Sequence, residues 1–289
     1  MNWSIYLGVV AQGVLTGLVY GLMALGLSVI FGVIRVVNFA HGEFTVVAMY
    51  ATFLLFSTLG IDPLISMIPL AALFFAGGYW LQRTLVNRVV ERPAHEQFIL
   101  LVGLAIAIVN GLLVIFGPDA RPVLLSYGFD SFLIGPFIVD KARLYAAVAA
   151  LAAAAALFGF FRCTRTGTAI RACADNLVGA AVVGLDVRRL YALTFGLGLA
   201  CVGAAGALMV TIADANPSLG PVYTLMAFII VIVGGMGSMT GALLGGVLIG
   251  VSEALAGFFL VPSMKSMVSF ALLVIVLVLL PQGFMGRRR

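Results

Sequence analysis

Long apolar runs, separated by short polar or glycine-containing breaks, fill most of this sequence. A helix that crosses a bilayer needs about 20 consecutive, mostly apolar residues, and runs of that kind recur here, rich in Leu, Ala, Val and Gly. Only 9% of the 289 residues are charged, whereas a soluble domain carries about 25%. So few charges cannot cover a surface in water, and the sequence therefore predicts an all-α polytopic membrane protein.

Nine runs qualify as candidate spans, and we expect eight or nine transmembrane helices with one broken or re-entrant element. The seventh run is short and ends in glycines, which favours a half-helix. The first residues have no basic region and no small-residue cleavage site, so we expect the first run to remain as a span. We treat residues 1–289 as one transmembrane domain. The candidate spans are 8–34, 43–59, 64–86, 97–116, 142–161, 190–212, 222–236, 240–260 and 266–281.

The distribution of Lys and Arg predicts the orientation, because the cytoplasmic loops of membrane proteins are enriched in these residues. Eleven of the sixteen basic residues fall in two loops and the C-terminal tail, which we assign to the cytoplasm. The net charge of +5 follows from this bias, so it gives no reason to expect nucleic-acid binding. The side of the N-terminus stays open, since the number of spans is open. The eleven residues are Arg83, Arg88, Arg92, Arg162, Arg165, Arg171, Arg188, Arg189, Arg287, Arg288 and Arg289.

Two segments between the spans are long enough to fold on their own. The outer segment (117–141) contains Pro, Gly and alternating apolar residues, and we expect it to pack as a cap over the outer face. The inner segment (162–189) has small residues at helical spacing, which favours a helix that docks into a protein groove rather than one that lies on the membrane. Gly184 is predicted to end this helix, and Asp186 to cap the next span. The predicted apolar face consists of Ile170, Ala174, Leu177 and Ala181.

A cluster of polar residues follows the first apolar run in the stretch "VVNFAHGEF" (36–44), which holds Asn38, His41 and Glu43. A zinc site needs three or four ligands. The only other histidine, His95, lies in an inner loop, and the three cysteines form no C-x-x-C pair. We therefore expect no metal site, no catalytic site and no disulfide.

Two structural interpretations of this stretch remain. One is a solvated turn between the first two spans. The other, which we favour, is a buried break within the membrane, because the Val and Phe residues keep the stretch apolar. Lipid offers no hydrogen bonds, so Asn38 and His41 are expected to satisfy backbone groups. Gly42 is expected to allow the bend and Glu43 to anchor it.

A second glycine-containing break, "GGMGSMTG" (234–241), ends the seventh run. Paired breaks in two halves of a transporter point to its substrate route, so we assign both breaks to a substrate pathway. Glu43 and Glu253 are the clearest acids inside spans, but no buried Lys or Arg accompanies them, which disfavours an ion relay. The predicted pathway residues are Asn38, His41, Gly42, Glu43, Gly234, Gly235, Gly237, Ser238 and Gly241.

Three long motifs, taken in order, resemble the LivH-type permease subunits of branched-chain amino-acid ABC importers. They are "GLSVIFGVIRVVNFAHGEF", "TGTAIRACADNLVGAAVVGLD" and "GGMGSMTGALLGGVLIGVSEAL", and the resemblance covers nearly the whole chain. It implies an ABC importer permease fold in a bacterial inner membrane, in which the distribution of Lys and Arg places the C-terminus in the cytoplasm. It also implies four kinds of partner: membrane lipid, a second related permease subunit, two cytoplasmic ATPase subunits and a periplasmic substrate-binding protein.

The second of these motifs resembles the ATPase-docking loop of that family, and the resemblance implies the same role here. The ATP and magnesium would then bind to the partner ATPases, with no cofactor in this chain. The residues that match the docking loop are Thr166, Gly167, Ala169, Ile170, Arg171, Ala174, Asp175, Ala180, Ala181 and Gly184.

The chain has no P-loop of the form G-x-x-x-x-G-K-[ST], so we expect a transport subunit rather than an enzyme. The resemblance implies translocation of branched-chain amino acids or related small solutes by alternating access. The family that the motifs resemble also takes up urea, short amides and aromatic acids, so the motifs do not name the substrate. The alternative is a self-sufficient secondary transporter or channel for a small neutral solute, while an intramembrane enzyme would need a catalytic constellation that the residues do not offer.

Overall fold

The computed structural model describes residues 3–134, 137–261 and 264–286. Helices dominate it, and two short antiparallel strands, β1 (Ser131–Ile134) and β2 (Phe137–Asp140), form a hairpin. Within the described residues, the α-helices in chain order are α1 (Trp3–Ile34), α2 (His41–Leu59), α3 (Pro63–Thr84), α4 (Ala94–Phe116), α5 (Lys141–Cys163), α6 (Arg165–Asp175), α7 (Leu177–Val182), α8 (Val187–Met209), α9 (Gly220–Gly234), α10 (Met239–Phe259) and α11 (Lys265–Leu279).

Eight helical segments of the described residues are long and apolar enough to cross a membrane; they contain α1 to α5 and α8 to α10. The ninth apolar helix of the described residues, α11, has 15 residues and is shorter than each of the eight spanning segments. The predicted polytopic, all-α class with eight or nine apolar helices is therefore confirmed. The predicted short seventh helix is confirmed as well, because α9 has 15 residues and follows a 3-10 turn at Pro217–Leu219.

Helices α1 and α10 pack against each other through glycines. A Cβ placed on Gly17 would lie 2.6 Å from the carbonyl oxygen of Gly246, and one on Gly13 would lie 2.9 Å from the carbonyl oxygen of Gly250. Residue numbers rise along one helix as they fall along the other, so the two helices are antiparallel. Small residues at this spacing allow membrane helices to approach backbone to backbone.

Helix α8 lies in the core of the bundle, whereas α4 lies at its edge. Phe195 and Leu199 of α8 are buried, and the helix packs against α1, α2 and α3. Among the described residues of α4, only Leu101, Ala105 and Leu112 are buried. Most of the surface of α4 is therefore free to contact lipid or another protein.

Polar contacts join two of the basic loops at one end of the bundle. The side-chain amide of Asn87, which follows α3, donates to the carbonyl oxygen of Arg188 at the start of α8 (3.4 Å). The guanidinium of Arg188 in turn pairs with Glu91 (3.4 Å). These loops therefore lie at the same end. The third predicted cytoplasmic region, the tail Arg287–Arg289, lies outside the described residues.

The outer segment packs over the opposite end of the bundle. The hydroxyl of Tyr127 donates to the carboxylate of Asp62, the N-cap of α3, at 2.8 Å. Burial and this bond to Asp62 raise the pKa of Tyr127 above its ordinary value. The backbone of Arg121 also pairs with that of Ala215, which lies between α8 and α9. The hairpin of β1 and β2 belongs to this segment, and the sequence pattern did not predict it.

Candidate functional site

The chain doubles back along α1 before α2 begins. After α1 ends at Ile34, Arg35 turns the chain with a φ of 59°, in the left-handed region. His41, the first residue of α2, then contacts Met23, which lies about three helical turns before the end of α1. Asn38, between them, is fully buried. The stretch is therefore a buried, re-entrant break, and the solvated turn is excluded.

Two polar side chains satisfy backbone groups of this break, as expected. The side-chain oxygen of Asn38 accepts a hydrogen bond from the amide of Ala40 (3.1 Å). Nε2 of His41 lies 2.9 Å from the carbonyl oxygen of Met23, and because a carbonyl only accepts, this nitrogen carries the proton. Within the described residues, Nδ2 of Asn38 and Nδ1 of His41 have no hydrogen-bond partner. Such buried, unpaired polar atoms are rare in folded proteins.

Gly42 serves close packing, and the bend predicted for it is wrong. It lies in the regular first turn of α2, while the turn of the chain belongs to Arg35. A Cβ on Gly42 would collide with the carbonyl oxygen of Gly220 and the amide nitrogen of Thr224, at the start of α9. The site therefore needs the missing side chain of Gly42 rather than an unusual φ angle.

Both predicted intramembrane acids accept a hydrogen bond from a hydroxyl group of a neighbouring helix. The hydroxyl of Thr224 donates to Oε2 of Glu43 at 2.8 Å. The hydroxyl of Ser269, in α11, donates to Oε1 of Glu253 at 3.3 Å. Neither acid forms an ion pair within the described part of the chain. Glu43 is the more enclosed, with 3% of its surface exposed.

An apolar groove with a volume of about 230 Å³ runs beside the first break. It contacts both breaks, because Val37 and Phe39 come from the first and Met236 from the second. The ring of Phe39 lies 5.3 Å from that of Phe228, which closes one side of the groove. The side chains of Asn38, His41 and Glu43 do not line the groove. The lining residues are Leu27, Phe31, Val37, Phe39, Phe228, Val231, Ile232 and Met236.

The second break is a tight turn between α9 and α10, closed by its own backbone. A Cβ on Gly234 would collide with the carbonyl oxygen of Gly241, and one on Gly241 with that of Gly234. Gly235 and Gly237 adopt φ angles of 104° and 82°, which favour glycine. The hydroxyl of Ser238 caps α10 by accepting from the amide of Gly241 (3.1 Å).

The segment that follows α11 packs against this turn. The amide of Phe284 donates to the carbonyl oxygen of Val233 (2.9 Å), and that of Met285 to the carbonyl oxygen of Gly234 (3.0 Å). The residues of the second break therefore pack against helices and the C-terminal segment of the same chain. Their assignment to a substrate pathway, like that of the first break, stays a prediction.

The inner segment folds as two helices, and the single predicted helix is wrong. Asn176 adopts an extended backbone, and its side chain accepts from the amide of Gly179 (2.9 Å), which caps α7. An asparagine side chain competes in this way with the hydrogen bonds of a continuous helix. The predictions at the end of the segment are confirmed. Gly184 follows α7 with a φ of 84°, and Asp186 caps α8 through the amide of Arg189 (3.0 Å).

Helix α6 turns its apolar face inward. Gly167, Ile170 and Cys173 are buried, and a Cβ on Gly167 would lie 2.7 Å from Cα of Phe161 in α5. Burial also raises the pKa of the Cys173 thiol. The continuous face predicted from Ile170 to Ala181 is therefore wrong, since the break at Asn176 separates it into two parts.

Helix α7, in contrast, turns apolar side chains outward. Val178 and Val182 are 73% and 81% exposed, and Leu177 and Val183 are exposed beside them. Of the ten residues predicted to dock an ATPase, the buried ones are Gly167, Ile170 and Ala180. The half-buried ones are Thr166, Ala169 and Ala174, and the exposed ones are Arg171, Asp175, Ala181 and Gly184.

Sequence reasoning missed Thr224 and Gly220, which complete the first break. They lie in an apolar run about 180 residues after Glu43, and nothing near Glu43 in the sequence points to them. A hydroxyl inside an apolar span was the one local signal at Thr224. Which helix it faces is decided only by the packing of α2 against α9.

Comparison with known proteins agrees with the motifs. The profile of the family described as "Branched-chain amino acid transport system / permease component" matches residues 9–277. The high-affinity branched-chain amino acid transport system permease protein LivH of Salmonella typhimurium is 33% identical over 96% of this chain and 94% of its own length. BraD of Pseudomonas aeruginosa, which carries the same description, is 30% identical over 98% of this chain and 96% of its own length.

A probable branched-chain amino acid transport permease protein LivH of Methanocaldococcus jannaschii is 26% identical over 92% of this chain and 88% of its own length. No solved structure matches the chain. The resemblance read from the three motifs is confirmed. This multi-pass membrane protein therefore belongs to the family of permease components of branched-chain amino acid transport systems.

Proposed function

We propose that this chain is the membrane-spanning permease subunit of an ATP-binding-cassette importer in a bacterial inner membrane. Its substrates are branched-chain amino acids or related small solutes, as the descriptions of the relatives support. The observation that carries the proposal is the exposed apolar surface of α7, formed by Leu177, Val178, Val182 and Val183. It lies in the segment whose end, at Arg188, joins the basic end of the bundle.

The surface of α7 supports docking of a cytoplasmic ATPase. Apolar side chains in water are unfavourable, and contiguous ones mark contact sites for other proteins. A self-sufficient secondary transporter has no need of such a partner on its cytoplasmic side. The docking contacts then come from α7 and from the exposed Arg171 and Ala181, while Gly167 and Ile170 hold α6 against α5.

The packing of the inner segment gives a route for the movement. ATP and magnesium bind to the two ATPase subunits, and their closure moves α7. Helix α6 passes the displacement to α5, against which Gly167 packs, and the start of α8 follows through the cap at Asp186. The access path then alternates between the two ends of the bundle. A substrate-binding protein delivers the solute to the end covered by residues 117–141, and a second, related permease completes the path.

The apolar groove beside the two breaks supports a substrate route at this point of the bundle. Its lining has room for the aliphatic side chain of a branched-chain amino acid and presents no charged group. Asn38, His41, Gly42 and Glu43 then shape the wall of the route from behind. Gly234, Gly235, Gly237, Ser238 and Gly241 hold the turn that carries Met236.

The docking assignment is tested by placing a charge on α7. Ala181→Glu puts a carboxylate into the exposed face of α7, and we expect it to lower ATP-driven uptake and co-purification of the ATPase subunits by at least about tenfold, because a buried unpaired charge costs several kcal/mol. His95→Glu, at an exposed position in the first turn of α4, is the control and should behave like the wild type. Normal uptake by Ala181→Glu, or uptake by the chain alone driven by an ion gradient, would contradict the proposal.

A further inference from the structure

Two helices begin at the same buried point of the bundle. α2 starts at His41 and α9 at Gly220, and their backbones touch where a Cβ on Gly42 would collide with the carbonyl oxygen of Gly220. The first turn of a helix leaves backbone N–H groups without an acceptor and carries a partial positive charge. Two such ends in contact are stabilised by a negative charge between them.

Glu43 places that charge at the junction. A Cβ on Gly220 would lie 3.0 Å from Cγ of Glu43, so the acid lies directly over the start of α9. Glu43 is 3% exposed, and its carboxylate has no ion-pair partner within the described residues. A buried carboxylate without such a partner depends on hydrogen-bond donors and on the local dipoles.

Thr224 connects the two helices through a directed chain of hydrogen bonds. The amide of Gly42 donates to the hydroxyl of Thr224 (2.8 Å), and that hydroxyl donates to Oε2 of Glu43 (2.8 Å). The carbonyl oxygen of Phe39, at 3.5 Å, competes for the same proton. The hydroxyl donates to the carboxylate rather than to this carbonyl, because the carboxylate oxygen is closer and charged. The hydroxyl therefore accepts once from α2 and donates once to α2.

We propose that Glu43 and Thr224 are positioning residues that tie the start of α2 to the start of α9, so that the two helices move as one unit during transport. The proposal rests on the function proposed above. Separating the helices would leave a buried carboxylate without its donor and two helix ends without their countercharge. The change of access then takes place where this unit meets the other helices, and not between α2 and α9.

Substitution of Thr224 tests the tie in proteoliposomes that contain the complete importer. Thr224→Val keeps the shape but removes the hydroxyl, and we expect uptake to fall by about tenfold, the size of one lost hydrogen bond to a charged group. Thr224→Ser keeps the hydroxyl and should restore uptake to within about twofold of the wild type. Thr52→Val is the matched control, because Thr52 is also buried, in α2, and its hydroxyl bonds to Ala48 of the same helix.

Glu43→Gln completes a double-mutant cycle. It should lower uptake as Thr224→Val does, and the double variant should be no worse than the poorer single variant, since both remove the same tie. Wild-type uptake by Thr224→Val, an equal defect in Thr52→Val, or multiplying defects in the double variant would overturn the proposal. A wild-type complex that shows no ATP-driven uptake would instead contradict the proposed function.

A reversible covalent link tests the movement itself. A Cβ on Gly220 would lie 3.3 Å from Cα of Glu43, which brings cysteines at these two positions close to the separation of a disulfide, about 3.5–4.5 Å between Cβ atoms. The double variant Glu43→Cys and Gly220→Cys is made with Cys163→Ser, because Cys163 is exposed. Uptake should be low when the pair is reduced and should rise toward the wild-type rate on oxidation. Uptake that falls or stays unchanged on oxidation would show that α2 and α9 do not move as one unit.

Discussion

The two breaks look alike in the sequence but are closed by different interactions. In the first, buried side chains supply the contacts: Asn38 and His41 bond to backbone groups, and Glu43 bonds to Thr224. In the second, backbones supply them, through the contact of Gly234 with Gly241 and through two hydrogen bonds from the C-terminal segment. Similar patterns of glycine and polar residues therefore arise from different physical needs.

The difference follows from the path of the chain. At the first break an extended segment runs back between helices, where its backbone groups have no regular partners, so polar side chains must take their place. At the second break two helices are joined by a tight turn, whose remaining carbonyl groups accept from the segment after α11. A glycine-rich break in a membrane protein is thus evidence for close packing first, and for a solute path only where a groove adjoins it.

The largest effect is expected from a side chain at Gly42. Gly42→Val places atoms where backbone atoms of Gly220 and Thr224 already lie, so we expect it to destabilise the protein by about 3 kcal/mol or more and to damage transport. The measurement is the thermal unfolding midpoint of the purified protein in detergent. Gly103→Val, at an exposed glycine of α4 with no neighbouring atom within 4 Å, is the control. Equal midpoints for the two variants would show that the first break is not packed as described.

A smaller effect is expected from the second break. Gly241→Ala adds one methyl group against the carbonyl of Gly234 and 3.1 Å from Cβ of Met285. We expect a loss of about 1–3 kcal/mol in stability, since the added methyl group would displace the segment whose amides at Phe284 and Met285 bond to this turn. Gly111→Ala, which meets no atom within 4 Å, is the control. A loss restricted to Gly241→Ala supports backbone closure of the turn, and no loss contradicts it.

The smallest effects are expected from single side chains, and they distinguish closure by side chains at the first break from closure by backbone at the second. Asn38→Ala leaves the buried amide of Ala40 without its acceptor and should cost about 1–3 kcal/mol. Ser28→Ala removes a side chain of α1 that donates to the second break, at the carbonyl of Ser238 (3.1 Å), and should cost about 0.5–1.5 kcal/mol. Chemical unfolding of both variants gives the comparison. If Ser28→Ala costs more than Asn38→Ala, side chains stabilise the second break as well.

The spans were predictable, and so were the positions of both breaks. Entry into lipid depends on the composition of about 20 neighbouring residues, which is a local property. The roles inside the breaks were less predictable. Asn38 and His41 act on residues close in sequence or on the preceding helix, and their roles were as expected. Gly42 was assigned to a bend because nothing local shows that α9 approaches it.

The prediction of a single helix in the inner segment was wrong for a different reason. Its apolar spacing continues across Asn176, so the periodic pattern favoured one helix, although an asparagine before a short apolar run is also a helix start signal. Asn176 starts a new helix instead, because its side chain accepts a hydrogen bond from the amide of Gly179. The result moves the exposed apolar surface from α6 to α7, which matters for any partner that docks there.

The sequence by itself determined the membrane class, the approximate spans, the two breaks and the family, because each depends on composition or order along the chain. Only the tertiary structure decided that Thr224 partners Glu43, that Gly42 faces Gly220, that the C-terminal segment packs on the second break and that α7 is exposed. These contacts join residues far apart in the chain. Their geometry depends on how all the helices pack together, and no local pattern encodes it.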